Sequence, residues 1–274
     1  MTDAAGRVAL VTGASSGFGL FIANDLHAAG CRVYGASRRA VGAPDGGFQA
    51  MAMDVDDDAS VAAGVEAIVA REGRLDVLVS NAGIGIAGSL EDTTTQEAKA
   101  QFETNFFGNH RVCRAAQPHL RAQKSSHIVV IGSLAGLFGI PFQGMYSASK
   151  FALEGYCESL RIELRHTGVR VAIVEPGDFA TGFTAARRTV AARGEGSAYH
   201  EAFERALRII ETDEITGADP ADLAAAVRAI IETERPSLRH PVGADAQVRM
   251  AQSRASLPPE TLERLIAAHF EGEG

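Results

Sequence analysis

Tyr146 and Lys150 stand four residues apart at the head of a strongly helical run, residues 151–165. Side chains at that spacing share a helix face, so a phenol and an ammonium can reach one site. A free phenol has a pKa of about 10 and moves protons poorly at neutral pH. A neighbouring positive charge favours the phenolate, which makes the pair a usable acid/base. A lone pair of this kind is more often surface decoration, so the elements around it must decide.

The first of these elements opens the chain. Residues 7–11 are an apolar run that reads as a buried strand. It feeds Thr12-Gly13-Ala14-Ser15-Ser16-Gly17-Phe18-Gly19, and a helical pattern follows with Leu20, Ile22, Ala23 and Leu26, ending at Gly30. Strand, glycine turn and helix in this order open a dinucleotide fold. The glycines let the backbone approach a pyrophosphate, and the helix N-terminus favours its charge. The competing reading is a tight turn that only joins strand to helix. A second strand, residues 31–36, ends in Ser37-Arg38-Arg39. An NAD site usually places an acidic residue there for the ribose hydroxyls. A serine and two arginines suit a 2′-phosphate instead, which a guanidinium grips through paired hydrogen bonds. The expected cofactor is therefore NADP(H) rather than NAD(H).

The remaining elements follow the same alternation. A third strand, residues 48–53, leads to Asp54-Val55 at the carboxyl end, where cofactors lie in such sheets. Asp56, Asp57 and Asp58 head a helix through residue 71; acids there favour the helix dipole, so they read as capping and no metal site is expected. A fourth strand, 75–80, ends in Asn81-Ala82-Gly83. A long helix is predicted over 96–122. Asn105 lies inside it against its propensity, and either bends the helix to present its side chain or caps a packing defect. A fifth strand, 127–131, ends at Gly132-Ser133, and an apolar loop with Leu134, Leu137, Phe138, Phe142 and Met145 leads to the Tyr146 helix. A sixth strand, 169–174, runs into Glu175-Pro176-Gly177-Asp178-Phe179-Ala180-Thr181. Residues 183–215 read as short helices forming a mobile lid. A helix over 219–232, a last strand over 238–242 and a C-terminal helical tail over 251–274 complete the chain. This alternation predicts a single-domain α/β fold of the Rossmann type: a doubly wound, mostly parallel sheet of about seven strands with helices on both faces.

The formal charge of −8 argues against a general nucleic-acid or anionic-membrane binder. No apolar run approaches the roughly 20 residues of a membrane span. The N-terminus enters a strand directly, without a signal-peptide pattern. Cys31, Cys113 and Cys157 are odd in number and far apart, which fits buried, reduced thiols in a cytoplasmic protein.

Taken in order, these residues resemble the short-chain dehydrogenase/reductase family over nearly the whole chain. The matching parts are Thr12 to Gly19 in the pattern TGxxxGxG, Asp54, Asn81-Ala82-Gly83, Asn105, Ser133, Tyr146-x-x-x-Lys150, and Pro176-Gly177 through Thr181. The wording around Asn105, Tyr146 and Glu175 is similar to the branch that contains hydroxysteroid and retinol dehydrogenases. Leu134 departs from the serine often found after the catalytic serine; the essential hydroxyl would still be Ser133. The resemblance implies that Tyr146 exchanges a proton with a carbonyl or alcohol oxygen. Lys150 would lower its pKa and bond the nicotinamide ribose. Ser133 would bond the substrate oxygen and Asn105 would hold a relay water. Gly13, Ser15, Ser16, Gly17, Phe18 and Gly19 would cradle the pyrophosphate. Asp54 and Val55 would meet the adenine. Asn81, Ala82, Gly83, Pro176, Gly177 and Thr181 would line the ribose and nicotinamide.

The expected substrate is a small molecule carrying a ketone or a secondary alcohol. Ser133, Leu134, Phe142, Met145, Phe179 and Phe183 are the candidate pocket walls and favour a bulky apolar body. Arg187, Arg188 and Arg193 either meet an anionic group or form a solvated face. Two alternatives remain beside this reading: an acyl-thioester (3-oxoacyl) reductase, and a non-catalytic module that senses NADP(H). The resemblance also implies a homodimer or homotetramer.

Overall fold

The computed structural model describes residues 4–41, 47–254 and 256–271. The elements in chain order are β1 (Val8–Thr12), α1 (Gly17–Ala28), β2 (Arg32–Ser37), β3 (Gln49–Ala52), α2 (Asp58–Glu72), β4 (Val77–Ser80) and β5 (Ile86–Ala87). Next come α3 (Thr95–Phe102), a π-helical turn (Glu103–Gly108), α4 (Asn109–Arg121), β6 (Ser126–Ile131), a 3₁₀ turn (Leu134–Gly136), α5 (Gly144–Glu163) and β7 (Val169–Pro176). The chain continues with α6 (Phe183–Ala186), β8 (Arg188–Thr189), α7 (His200–Ile215), α8 (Pro220–Glu232), β9 (Arg239–Val242), α9 (Asp245–Ser253) and α10 (Pro259–Glu271).

A parallel sheet runs in the order β3-β2-β1-β4-β6-β7-β9. Its central strands are almost wholly buried and mostly apolar because both faces are covered. Successive side chains on a strand point to opposite faces, so each strand feeds two cores. Val8 and Leu10 of β1 join Leu78, Ile128 and Val171 in a core closed by α2, α4 and α5. Ala9 and Val11 join Val79, Val129 and Ala172 in a second core closed by α1 and α8. The strand order reverses between β1 and β4, which opens a crevice at the carboxyl ends of those strands.

Local chemistry sets the helix starts. Asp57 caps α2 by accepting from the Ser60 amide at 2.8 Å, which bears out the capping role of the acidic run. Asp219 caps α8 ahead of Pro220. Thr94 and Glu97 form a reciprocal capping box on α3. Cys31, Cys113 and Cys157 are buried free thiols. Among the described residues, no helix is long and apolar enough to cross a membrane.

The long helix over 96–122 runs from Thr95 to Arg121 through a π-helical turn at Glu103–Gly108, where Asn105 presents its side chain to the Ile84 backbone. Two expectations are corrected. Residues 183–215 hold one 16-residue helix, α7, rather than only short ones. This segment is tied down by β8, which pairs in parallel with β5, and by buried Phe203, Ala206 and Ile210. The C-terminal helical region begins earlier than expected, with α9 at Asp245; residues 255 and 272–274 of the predicted tail lie outside the described residues.

Candidate active site

The turn after β1 shows why its residues are glycine, serine and threonine. Gly13 has φ +68°, and a Cβ there would stand 2.9 Å from Asn81 Nδ2. Thr12 Oγ1 accepts from the Asn81 and Ala82 amides at 2.9 and 3.0 Å, and Asn81 Nδ2 donates to the Thr12 carbonyl at 2.9 Å. The two loops at the sheet crevice are thereby locked together. A Cβ at Gly19 would run into the Gly13 carbonyl, so Gly19 lets α1 pack close behind the turn.

Along this crevice runs a cavity of about 1490 Å³. Its walls include Gly13, Ser15, Ser16, Gly17 and Phe18; Ser37, Arg38 and Arg39; Asp54 and Val55; Asn81, Ala82 and Gly83; and Pro176, Gly177 and Thr181. Ser133, Leu134, Tyr146, Lys150, Phe179 and Phe183 line the same space. Four expected residues do not reach the wall. Gly19 and Asn105 lie behind it. Phe142 packs against Phe203 with ring centres 5.7 Å apart, in a backbone with φ +59° that few side chains adopt. Met145 is also outside the lining.

Helix α5 carries Tyr146 and Lys150 on its first two turns. Lys150 Nζ lies 5.6 Å from the Tyr146 ring centre and donates to the Ile131 carbonyl at the end of β6 at 2.9 Å. Burial pushes the Lys150 ammonium down to about 8. The Tyr146 phenol goes the other way, up to about 12. Burial is the main cause, a hydrogen bond with Ser133 opposes it, Glu214 adds to it and Arg187 opposes it. Desolvation of the buried phenolate is thus the dominant influence on this group.

Asn105 supports this helix from behind. Its Oδ1 accepts from the Ile84 amide at 2.8 Å, and its Nδ2 donates to the Ile84 carbonyl and to Ser149 Oγ, each at 3.1 Å. Ser149 Oγ in turn donates to the Tyr146 carbonyl at 2.7 Å. Ser147 Oγ accepts from the Ile140 amide at 3.1 Å and so holds the apolar loop. The serines between Tyr146 and Lys150 are thus structural partners of the site, a duty their spacing alone did not reveal.

Sequence reasoning also missed the C-terminal wall. Gln247 of α9 accepts from the Asp178 amide at 3.1 Å and donates to the Asp178 carboxylate, clamping the loop after β7. Met250, Leu257, Leu265, Ile266 and Phe270 close one end of the cavity. Met250, Leu262 and Ile266 pack on the buried trio Leu134, Leu137 and Phe138. Neither α9 nor α10 buries a residue fully, so much of their apolar face covers the cavity rather than a core. His269 Nε2 of α10 meets Asp213 of α7 at 2.8 Å across this end. Arg187 and Arg193 are paired with Glu214 and Glu204, while Arg188 lines the cavity.

The family model for short chain dehydrogenase matches residues 7–191. A 3-ketodihydrosphingosine reductase of Bacteroides thetaiotaomicron is 42% identical over 267 residues, covering 96% of this chain and 98% of its own. Human 17-beta-hydroxysteroid dehydrogenase type 1 is 32% identical over 252 residues, covering 85% of this chain and 76% of its own. A crystal structure of a short-chain dehydrogenase from Streptomyces avermitilis superposes with a TM-score of 0.81 at 35% identity, covering 98% of this chain and 97% of that one.

Proposed function

The chain belongs to the short-chain dehydrogenase family, oxidoreductases of keto and alcohol groups that use a nicotinamide cofactor, and we propose that it is an NADP(H)-dependent reductase of a ketone on a long apolar body. The observation that carries this reading is the convergence of Ser133, Tyr146 and Lys150 on one wall of a cavity whose other end is apolar. The residues present fit a dinucleotide. Gly17 at the start of α1 faces open space that a Cβ would enter, and the amides there suit a pyrophosphate. Ser37, Arg38 and Arg39 lie on the cavity wall without an acidic neighbour among them, which supports the phosphorylated cofactor.

The nicotinamide, when bound, supplies the hydride. Tyr146 holds its proton at neutral pH and delivers it to the substrate oxygen. Ser133 Oγ bonds the same oxygen and stabilises the charge that develops on it. Lys150, with its ammonium brought down to about 8, exchanges protons readily near neutrality. The Asn105 amide is committed to Ile84 and Ser149, and through Ser149 it holds the Tyr146 backbone in place. The apolar cap of α9 and α10 and the 42%-identical relative both support a long-chain ketone, with an amino-alcohol ketone as the first candidate.

The test is NADPH consumption against long-chain 3-oxo amino alcohols, steroid ketones and 3-oxoacyl thioesters, with Tyr146→Phe as control. Turnover of the first class, abolished in the control with NADPH binding retained, is expected. Tight NADPH binding with no turnover across the panel would overturn the enzymatic reading.

A further inference from the structure

Between α5 and β7 lie two carboxyls that the proposed chemistry does not use. Glu154 follows Lys150 by four positions and shares its face of α5. Glu175 immediately precedes Pro176 and Gly177, which line the cavity. Their side chains are 8% and 1% exposed. The cation facing them is Arg239 of β9, whose Nε lies 2.8 Å from Glu154 Oε2 and 3.6 Å from Glu175 Oε1. Arg239 is shared with a third carboxylate, since its Nη2 lies 2.6 Å from Glu158 Oε1. Cys157 of α5 also borders the pair and is kept neutral by burial. Arg239, Glu158 and Cys157 are thus the charged and titratable groups that act on the pair from the elements around it.

One guanidinium does not balance three carboxylates, and the shortage falls on the two that are buried. Glu154 Oε1 and Glu175 Oε1 meet no hydrogen-bond partner among the described residues. Both carboxyls nevertheless gather around the same Arg239 Nε, at 2.8 and 3.6 Å, and so adjoin each other. Two adjoining buried carboxylates cannot both ionise without a large penalty. A proton between them supplies a donor and cancels one charge, and Arg239 balances the other.

We propose that Glu154 and Glu175 share one proton, and that this protonated pair is a clasp positioning the Tyr146 and Lys150 helix against the strand that leads into Pro176 and Gly177. The positioning role rests on the function proposed above; the shared proton does not. Burial, with the charge of Glu154 second, pushes the Glu175 carboxyl up to about 8, so the clasp is closed at neutral pH. The folded chain then holds a proton that an ordinary carboxyl in the unfolded chain has released. Stability from this pair is therefore complete in acid and is lost as pH rises through the folded value.

The experiment compares urea unfolding of the full chain with Glu175→Gln and with Glu154→Gln between about pH 5 and 8.5. The amide keeps a hydrogen donor in place and does not titrate. Wild-type stability should fall with rising pH relative to at least one of the two variants. Wild-type unfolding at neutral pH should release about one proton more than that variant, read calorimetrically in two buffers of different ionisation heat. Equal slopes and equal proton release in every variant that folds would overturn the shared proton. If neither variant folds, wild-type unfolding near neutrality that releases no proton would overturn it.

The positioning role has its own readout. NADPH affinity should weaken several-fold more in wild type than in the variant between pH 7 and pH 9. The titration of Lys150 is common to both proteins and divides out. Equal ratios with unequal proton release would overturn the clasp and spare the proton. A chain silent on every ketone that still releases the proton would sink the function and leave this pair intact.

Discussion

Glu214→Gln tests how the segment over the active site is held. Glu214 on α7 is 12% exposed and pairs with Arg187, which is 2% exposed. Thr184 Oγ1 also donates to Glu214 at 2.6 Å. The Arg187 guanidinium lies 5.7 Å from the Phe183 ring centre, and that ring lies 5.9 Å from Tyr146. Arg187 Nε and Nη1 already lack hydrogen-bond partners among the described residues. Removing the carboxylate strands a buried cation close to Phe183 and the Tyr146 ring. Breaking a buried pair from one side costs about 3–5 kcal/mol. The amide oxygen of Gln still accepts one bond, which points to the lower end, about 3 kcal/mol, or a fall of roughly 6–12 °C in Tm. Pairing Glu214→Gln with Arg187→Met removes the stranded charge and should recover most of that loss. Tyr146 feels the two partners with opposite sign, since Glu214 raises its pKa and Arg187 lowers it. Alcohol oxidation should therefore gain its alkaline activity at lower pH in Glu214→Gln and at higher pH in Arg187→Met. Urea unfolding and pH-rate profiles of the three variants supply the data. Single variants that each lose less than about 1 kcal/mol, with profiles moving the same way, would refute the reasoning.

Arg38→Asp should weaken NADPH by about 10–100-fold while leaving NADH little changed, measured as dissociation constants side by side; equal losses would refute the phosphate assignment. Ile266→Trp fills the apolar end of the cavity. It should lower kcat/KM for long-chain ketones by about tenfold or more and spare short ones, and a uniform loss would argue against a chain lying there. Ketone reduction should be nearly flat across neutral pH because Tyr146 keeps its proton there. Alcohol oxidation should climb with pH toward the Tyr146 value of about 12, and an oxidation rate that fell over the same range would contradict the raised phenol.

What the sequence shows plainly is what the backbone demands locally. Gly13 needs a left-handed φ, Asp57 and Asp219 cap helices three and two positions on, and apolar runs in a parallel sheet need no partner to be recognised. Contacts across the chain leave no such mark. The π-turn arises because Asn105 bonds the backbone of Ile84, 21 positions away. Helix α9 buries no residue fully, and its Gln247 matters only through Asp178. Phe142 and Met145 adjoin Tyr146 in sequence, yet adjacency says nothing of direction, and Phe142 turns to Phe203.

The same division runs through the chemistry. The spacing of Tyr146 and Lys150 singles them out as candidate reacting groups, but it sees one cation at close range and so favours the phenolate. The fold adds burial, with Glu214 from α7 and Asp178 from the loop after β7, and these outweigh the opposing influence of Ser133 and Arg187. The phenol therefore holds its proton more tightly than in water. The motif serves either direction of the reaction, and the groups that surround it set how tightly its phenol holds the proton it would exchange.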